Sequence, residues 1–428
     1  MHERTRRQLC RLLFCLLVLA PTGWVSGTIC YRASSWGAAA IRGEWEARLT
    51  QALGLRTRIG RVLLPAPGLV VLEEVAFHDP DGDQRLAVVG VLELSAGSLV
   101  WSAQALHAEI EPGQLALLLE RLHDRLLRGT DPLSAGELYA SEVTLRGTEQ
   151  SQTLTNVWST AELGELGPQL AIEFQLAGVE MPSPAELRIV RNRQSIPAVT
   201  GWQLRTGARP LPCSFLSDYL PGLRCLGPQA EFVGSVWAER STASWNGEVI
   251  GTIHRLSLGE LLEPFPHKLT GTAEVELKRA RFRDGKLAEL SGRIRAPGGV
   301  VSRSLISSLE EAFQVSMPSL PDSDATRLMT YRELGMAFEL DQTGLRLVGE
   351  CGKPANAILV LNETLQIAAP SANPLPAVGL ARALLPQSEF QVPLARQTDL
   401  LLRSLPLPHA IVPAEANSQS YSPLRLRR

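Results

Sequence analysis

The hydrophobic and polar positions change period twice along the chain. From Leu12 to Cys30 no charged residue occurs, a run of 19 residues close to the roughly 20 that a bilayer-crossing helix needs. Over Ser35 to Leu53 the period is that of a helix, with Trp36, Ala40, Ile41, Trp45, Leu49 and Leu53 recurring mostly at four-residue steps. This segment suits either of two places, the membrane interface, where Trp is favoured, or one face of the first sheet as a cap. From Arg58 the period falls to two. Ala230, Phe232, Gly234, Val236 and Ala238 share one face against Gln229, Glu231 and Ser235. Ala273, Val275 and Leu277 alternate with Glu274, Glu276 and Lys278, and Ala288, Leu290, Gly292, Ile294 and Ala296 repeat the rule. Roughly 17 strands are expected by this criterion. Asp284-Gly285 and Asn246-Gly247 carry the signature of two-residue hairpin turns.

Short helices interrupt the alternation. Gln114 to Arg128 places Leu115, Leu118, Leu119, Leu122 and Leu126 on one face, and Ser302 to Phe313 does the same through Leu305, Ile306, Leu309 and Phe313, with Ser302 as its cap. Beyond Pro370 proline becomes frequent. Helical stretches are predicted near Val378 to Leu385 and Leu394 to Ser404, ahead of a polar tail from Pro413. The organisation expected is therefore a head and membrane anchor over 1–32, a β-rich body with short helices over 33–370, and a Pro-rich helical segment with its tail over 371–428.

Charge orients the apolar run. Arg4, Arg6, Arg7 and Arg11 precede it and the next cation is Arg32, so the positive-inside rule puts the N-terminus in the cytoplasm. Leu12, Leu13, Phe14, Leu16, Leu17, Val18 and Leu19 are the anchor residues. A cleaved signal peptide is the competing reading, with an apolar core ended by Pro21 and Val25-Ser26-Gly27 as a small-residue cleavage site. Both export the body. The net charge of −2 and 5% aromatic content argue against a nucleic-acid partner. Lysine occurs only at Lys268, Lys278, Lys286 and Lys353, so the cations are nearly all arginine.

Candidate chemistry is sparse. Cys10, Cys15 and Cys30 lie in or beside the apolar run. Of the remaining cysteines, Cys213 and Cys225 are close enough for a disulfide in an oxidising compartment, or are two buried thiols. The turn His78-Asp79-Pro80-Asp81-Gly82-Asp83 has the alternate carboxylates of a calcium loop, but the position that should supply the bidentate Glu is Gly90. The same residues make an ordinary turn. Histidines are scattered without metal-ligand spacing, and neither a Gly-x-Ser-x-Gly elbow nor a phosphate loop is present. The pattern points away from an enzyme, and no cofactor or metal is expected.

A family resemblance rests on particular residues. The N-terminal apolar helix, the short helix after it, Leu53-Gly54-Leu55, and a strand pair ending in Val75-Ala76-Phe77-His78-Asp79-Pro80 resemble the opening of AsmA-like envelope proteins. Leu269-Thr270-Gly271-Thr272-Ala273-Glu274-Val275 through Asp284-Gly285 and Leu290-Ser291-Gly292 is similar to the hairpins of that family. Tyr331 to Gly349 resembles its C-terminal sheet. The likeness spans about residues 10–365. It implies a mainly β fold with short helices, an elongated antiparallel curved sheet forming a taco-like groove behind an N-terminal membrane helix. It also implies a single-pass protein of the bacterial inner membrane, N-terminus cytoplasmic and bulk periplasmic, that handles or shields phospholipid or supports outer-membrane biogenesis. Membrane lipids and other envelope proteins are the partners implied. About 17 strands stacked 4.8 Å apart reach only about 80 Å, too short for one chain to bridge an envelope.

Three functions compete. A lipid-handling groove leaves one apolar sheet face uncovered; the groove residues themselves are not identifiable from sequence. A structural or assembly protein with a closed β-core packs that face against helices such as Gln114 to Arg128 and binds a protein partner. An envelope hydrolase would assemble a buried nucleophile, histidine and carboxylate that the sequence does not announce.

Overall fold

The computed structural model describes residues 12–96, 101–129, 136–147, 151–179, 182–217, 221–240, 244–313, 328–351, 357–361, 366–368 and 374–384. The arginines at positions 4, 6, 7 and 11, Cys10, the predicted helix at 394–404 and the tail from Pro413 lie outside these. The chain divides into two compact units, 1–247 and 248–428, so the expected body over 33–370 contains parts of both. The fold is mainly β, with few helices.

The chain is helical from Leu12 through a π-helical segment, Cys15–Leu19, into α1 (Ala20–Ala33). Among the described residues no helix is long and apolar enough to cross a membrane, which corrects the expected membrane-crossing helix over Leu12 to Cys30. The reason lies in the distribution of residues. Leu12, Leu13, Phe14, Leu16, Leu17, Val18 and Leu19 carry the hydrophobicity, and the π segment interrupts the α-helical ladder among them. Pro21, Thr22, Gly23, Ser26 and Gly27 then dilute α1. All seven of the apolar side chains from Leu12 to Leu19 are exposed.

The next helix, α2 (Ser35–Leu53), keeps its expected bounds. Ser34 Oγ accepts from Gly37 N at 3.1 Å at its start, and Gly54 ends it in the left-handed conformation that glycine adopts without strain. Trp45, Leu49 and Leu53 pack on the core of the first unit, so the segment is a sheet cap. Its side chains also close the edge of β1 (Arg56–Ala66): Thr50 Oγ1 accepts from Thr57 N at 3.1 Å and Glu46 Oε1 from Ile59 N at 2.9 Å.

In the first unit β1, β2 (Leu69–His78) and β3 (Arg85–Ala96) form an antiparallel meander. β3 then pairs with both β4 (Trp101–Ala105) and β5 (Ala108–Ile110), each of which runs parallel to β6 (Gly136–Arg146). The sheet is thus mixed rather than wholly antiparallel. A parallel neighbour requires a crossover, and α3 (Leu115–Leu122), extended by a π segment His123–Arg128, lies on the connection from β5 to β6. From β6 the strands alternate again through β7 (Ser151–Gly164), β8 (Gly167–Leu176), β9 (Ala185–Asn192) and β10 (Val199–Arg205). β12 (Glu231–Arg240) pairs with β10 and with the short β11 (Leu211–Pro212).

A transverse row runs across seven strands. Core-facing side chains follow alternation up to this row, then resume after a three-residue step: Ile59 to Val62, Leu72 to Val75, Val89 to Leu92, Ala105 to Ala108, Ala140 to Val143 and Leu154 to Val157. Between these pairs stand Gly60, Glu74, Gly90, Leu106-His107, Ser141 and Asn156. Glu74 and Asn156 have φ of 55° and 51°, a left-handed conformation that inserts one residue between core positions. Gly90 N donates to His107 O at 2.8 Å, Ser141 Oγ donates to Leu106 O, and Asn156 accepts from the Tyr139 hydroxyl, so the row is stitched by its own polar groups. It ends where β7 carries one residue more than β8 between Thr155 and Trp158.

β13 (Trp245–Ser257) spans the boundary between the units and includes Asn246-Gly247, which is strand and not the turn its sequence suggests. A Cβ at Gly247 would lie 2.9 Å from Trp237 O, so glycine serves close approach there. In the second unit α4 (Leu258–Leu262) precedes β14 (Thr272–Arg283). Asp284 and Gly285, both with positive φ, turn the chain into β15 (Lys286–Ala296) as expected. β16 (Gly299–Ser302) pairs with β17 (Leu328–Tyr331), while β15 pairs with β18 (Glu333–Asp341), β18 with β19 (Gly344–Gly349) and β20 (Ala357–Val360), and β20 with β21 (Gln366–Ala368). Ser302 Oγ accepts from Leu305 N, which bears out its capping role for α5 (Arg303–Phe313). The last described helix is α6 (Ala377–Leu384).

The transverse row is open to mutation. A Cβ at Gly60 would meet Glu74 Cβ at 2.9 Å and Glu73 O at 3.3 Å. Gly60→Val is expected to destabilise the protein by about 1–3 kcal/mol in denaturant unfolding. Glu74→Gly, which relieves a left-handed side-chain residue at some cost in chain entropy, is expected to stay within about 1 kcal/mol of the parent. A tolerated valine at 60 would show that the row has room to relax.

Candidate functional site

Over β1 to β8 the apolar face of the first unit is covered, whereas no residue of β12 is buried. Leu72, Val75 and Leu86 are each 0% exposed, and Leu118 joins the same cluster with Leu115, Leu117 and Leu122 of α3 packed against it. The predicted leucine face of this helix changes register at the π segment, whose wider turn buries Leu127 in place of Leu126.

Where the π segment meets the sheet, polar side chains gather. His123 and its neighbour Asp124 are joined, Nδ1 to Oδ1, at 3.2 Å, and His123 Nε2 lies 2.8 Å from Thr200 Oγ1 on β10. Arg191, across the ladder from Thr200 on β9, donates to the same hydroxyl at 2.9 Å. The Trp202 ring stacks beside His123 with centroids 6.1 Å apart. Arg193 donates to Leu127 O and Gly129 O, closing the C-terminal end of the π segment, and Arg128 pairs with Asp124 at 3.1 Å.

Electrostatics follow from this geometry. Burial favours neutral imidazole and lowers the His123 pKa below 6.5 against the opposing pull of Asp124. Asp124 sits below the ordinary carboxylate value: burial opposes this, and the hydrogen bonds from Arg128 and His123 outweigh it. Arg191 is lowered by burial and by repulsion from Arg128 and Arg193. With neutral imidazole, Thr200 donates to His123 Nε2 and accepts from Arg191.

Carboxylate, histidine and hydroxyl thus stand in the order of a hydrolytic triad, the arrangement an envelope hydrolase would need. Thr200 is only 3% exposed and its oxygen already engages two partners, so it has no path to a carbonyl carbon. The group clasps the crossover to the sheet. The sequence places His123 near the end of the leucine-rich helix but gives no sign of Arg191, Arg193, Thr200 or Trp202 beside it, because 77 positions separate His123 from Thr200 and no spacing rule joins them.

The other expected sites take simpler forms. The carboxylates of the acidic turn face guanidinium groups: Arg121 of α3 pairs with Asp79 at 2.9 Å and with Asp81, while Asp83 meets Arg56 and Arg58. Those ion pairs make it a turn docked on α3 rather than a calcium loop. His107, the other histidine near that helix, stands between Glu109 and Glu142 on the transverse row. Cys213 and Cys225 each lie in their own 3-10 turn, and Cys225 Sγ donates to Gly222 O. Burial pushes the Cys213 thiol up to about 11, with the Glu231 charge adding to it, and burial does the same for Cys351. In the second unit His267 Nδ1 bonds Ser304 Oγ at 3.0 Å, and burial lowers its pKa despite a backbone contact at Ala383. No family model, no curated protein and no solved structure matches the chain.

Two measurements check these assignments. His123 and His267 bind protons less readily folded than unfolded, so stability is complete above their ordinary value of 6.5 and falls as pH drops below it. The thermal midpoint is expected to fall between about pH 7.5 and about pH 5.5. His123→Asn and His267→Asn should each flatten that slope; an unchanged slope in both would contradict the assignment. At pH 8 a thiol of pKa about 11 is thiolate in roughly one molecule per thousand, so Cys213 and Cys351 should resist alkylation until the protein is unfolded. Labelling of either at the rate of the exposed Cys15 would count against its burial.

Proposed function

We propose that the chain is a membrane-attached, extracytoplasmic protein of a bacterial envelope, AsmA-like in organisation, whose β-rich body serves as a structural or assembly module for a protein partner. The observation that carries this reading is the cover over the apolar face from β1 to β8. A conduit for acyl chains would leave a strip of apolar side chains uncovered, whereas Leu72, Val75, Leu86 and Phe77 lie beneath α2, α3 and their own sheet. Membrane attachment is supported by the exposed Leu12, Leu13, Phe14, Leu16, Leu17, Val18 and Leu19, followed by Trp24 at 76% exposure, an arrangement in which an apolar segment and an interfacial aromatic meet lipid. The α2 cap, directly after that segment, keeps the sheet close to the same surface. No group in the His123 clasp supports hydrolysis, since its hydroxyl is buried and already bonded.

Two experiments test this reading. The paired substitution Leu16→Glu with Leu17→Glu is expected to move the protein from the membrane fraction to the soluble fraction, because it replaces apolar side chains available to lipid by charged ones. Native mass spectrometry of the chain in micelles doped with phosphatidylcholine is expected to find none of that lipid held in fixed ratio. One phosphatidylcholine retained per chain would return the reading to a lipid-handling groove.

A further inference from the structure

We propose that Arg128, Arg191 and Arg193 form a binding site for a phosphate-type oxyanion, either free or as the headgroup of a lipid phosphomonoester. The three guanidinium groups come from two elements, the end of the π segment and the β9 strand with the residue after it, and they share one carboxylate, Asp124, which pairs with Arg128. Arg191 donates to a neutral hydroxyl, and Arg193 to the backbone carbonyls of Leu127 and Gly129; among the described residues neither has a carboxylate partner. Arg191 is partly buried while Arg128 and Arg193 are exposed, so a partly desolvated cation stands beside two solvent-accessible ones with a single carboxylate, Asp124, among them, and an added anion would offset the excess charge. Repulsion from Arg128 and Arg193 acts on Arg191, so their fields overlap at one place.

Arginine is the residue suited to this work. Its planar fork presents paired N–H donors that match two oxygens of a phosphate, and a clasp that fixes Arg191 through Thr200 presets its orientation before an anion arrives. Arg128 is about half exposed, which leaves an approach from solvent. His123 and Asp124 are the other titratable groups of the cluster. The single carboxylate leaves the three guanidiniums with excess positive charge even when His123 is neutral.

The test uses the full chain in non-ionic detergent micelles and inorganic phosphate as the first probe, followed by calorimetry. A second arm compares micelles doped with a short-chain phosphatidic acid or with phosphatidylcholine of the same chain length. Saturable binding is expected for the phosphomonoester and not for phosphatidylcholine, weakened about tenfold by Arg191→Gln and by Arg128→Gln, as loss of one charge-assisted contact implies. Binding of inorganic phosphate points to a free oxyanion, and binding of phosphatidic acid alone points to a lipid headgroup. Arg128→Gln leaves the Thr200 clasp intact, so it remains informative if Arg191→Gln lowers the thermal midpoint. Absence of saturable binding by both probes, or binding that neither variant weakens, would overturn the site whatever the manner of membrane attachment.

Discussion

The fold of the first unit depends on one geometric requirement, that seven strands keep the same face apolar across a row where each skips a position. A strand that shifts by one residue turns its entire apolar set outward. Here the shift happens in every strand from β1 to β7 at the same level, so the cross-strand partners remain in step and the core stays on one side. The residues of the row are chosen for it. Glycine at 60 accepts the close approach of Glu74, left-handed Glu74 and Asn156 supply the extra residue, and the break between β4 and β5 at Leu106-His107 does the same by interrupting a strand. The mismatch has to end somewhere, and a bulge in β7 against β8 absorbs it.

The row also accounts for what the amino-acid pattern conveyed and what it hid. Period-two alternation gave the β character, the Asp-Gly pair the turn at 284–285, and helical spacing the amphipathic segment over 35–53 and the Ser302 cap, all of which depend on near neighbours in sequence; that Trp45, Leu49 and Leu53 face the sheet rather than a membrane interface came from the structure. The parallel pairing of β4 and β5 with β6 was not legible, since it depends on where α3 carries the chain. Nor was the burial of Leu127 in place of Leu126, because a π turn changes the helical period within six residues. Asn246-Gly247 misled for a related reason: the dipeptide permits a tight turn, and it equally permits the close backbone approach that β13 uses. The polar clasp was invisible for the plainest reason, since its members are assembled only by the crossover.

Arginine does much of the joining that longer apolar contacts do in larger cores. Arg121 docks the acidic turn onto α3, Arg125 reaches the carbonyls of Gln51 and Ala52 at the end of α2, and Arg193 reaches those that end the π segment. In the last two cases the guanidinium meets unsatisfied carbonyls at a helix terminus, where both hydrogen bonding and the helix dipole favour a cation. The scarcity of lysine therefore has a structural consequence: each of these links uses donors in a fixed fork that a single ammonium does not reproduce. Three separate arginine links hold the crossover helix and its π extension to the acidic turn, the end of α2 and the end of β9, which makes α3 the hub of the first unit.

This dependence on α3 bears on function more directly than any single residue does. A sheet face left open for lipid needs no helix across it, and a helix fastened at so many points is poorly suited to lifting away. Leu118 and Leu127 enter the core while Arg121, Arg125 and His123 tie the same helix and its π extension to three other segments, so opening the face would break apolar and polar contacts together. Local opening is cheapest where few such contacts exist, and the apolar side chains of Leu12 to Leu19 are exposed. The helix-covered part of the sheet and the N-terminal helix thus differ in kind, one a fixed body and the other an exposed apolar surface.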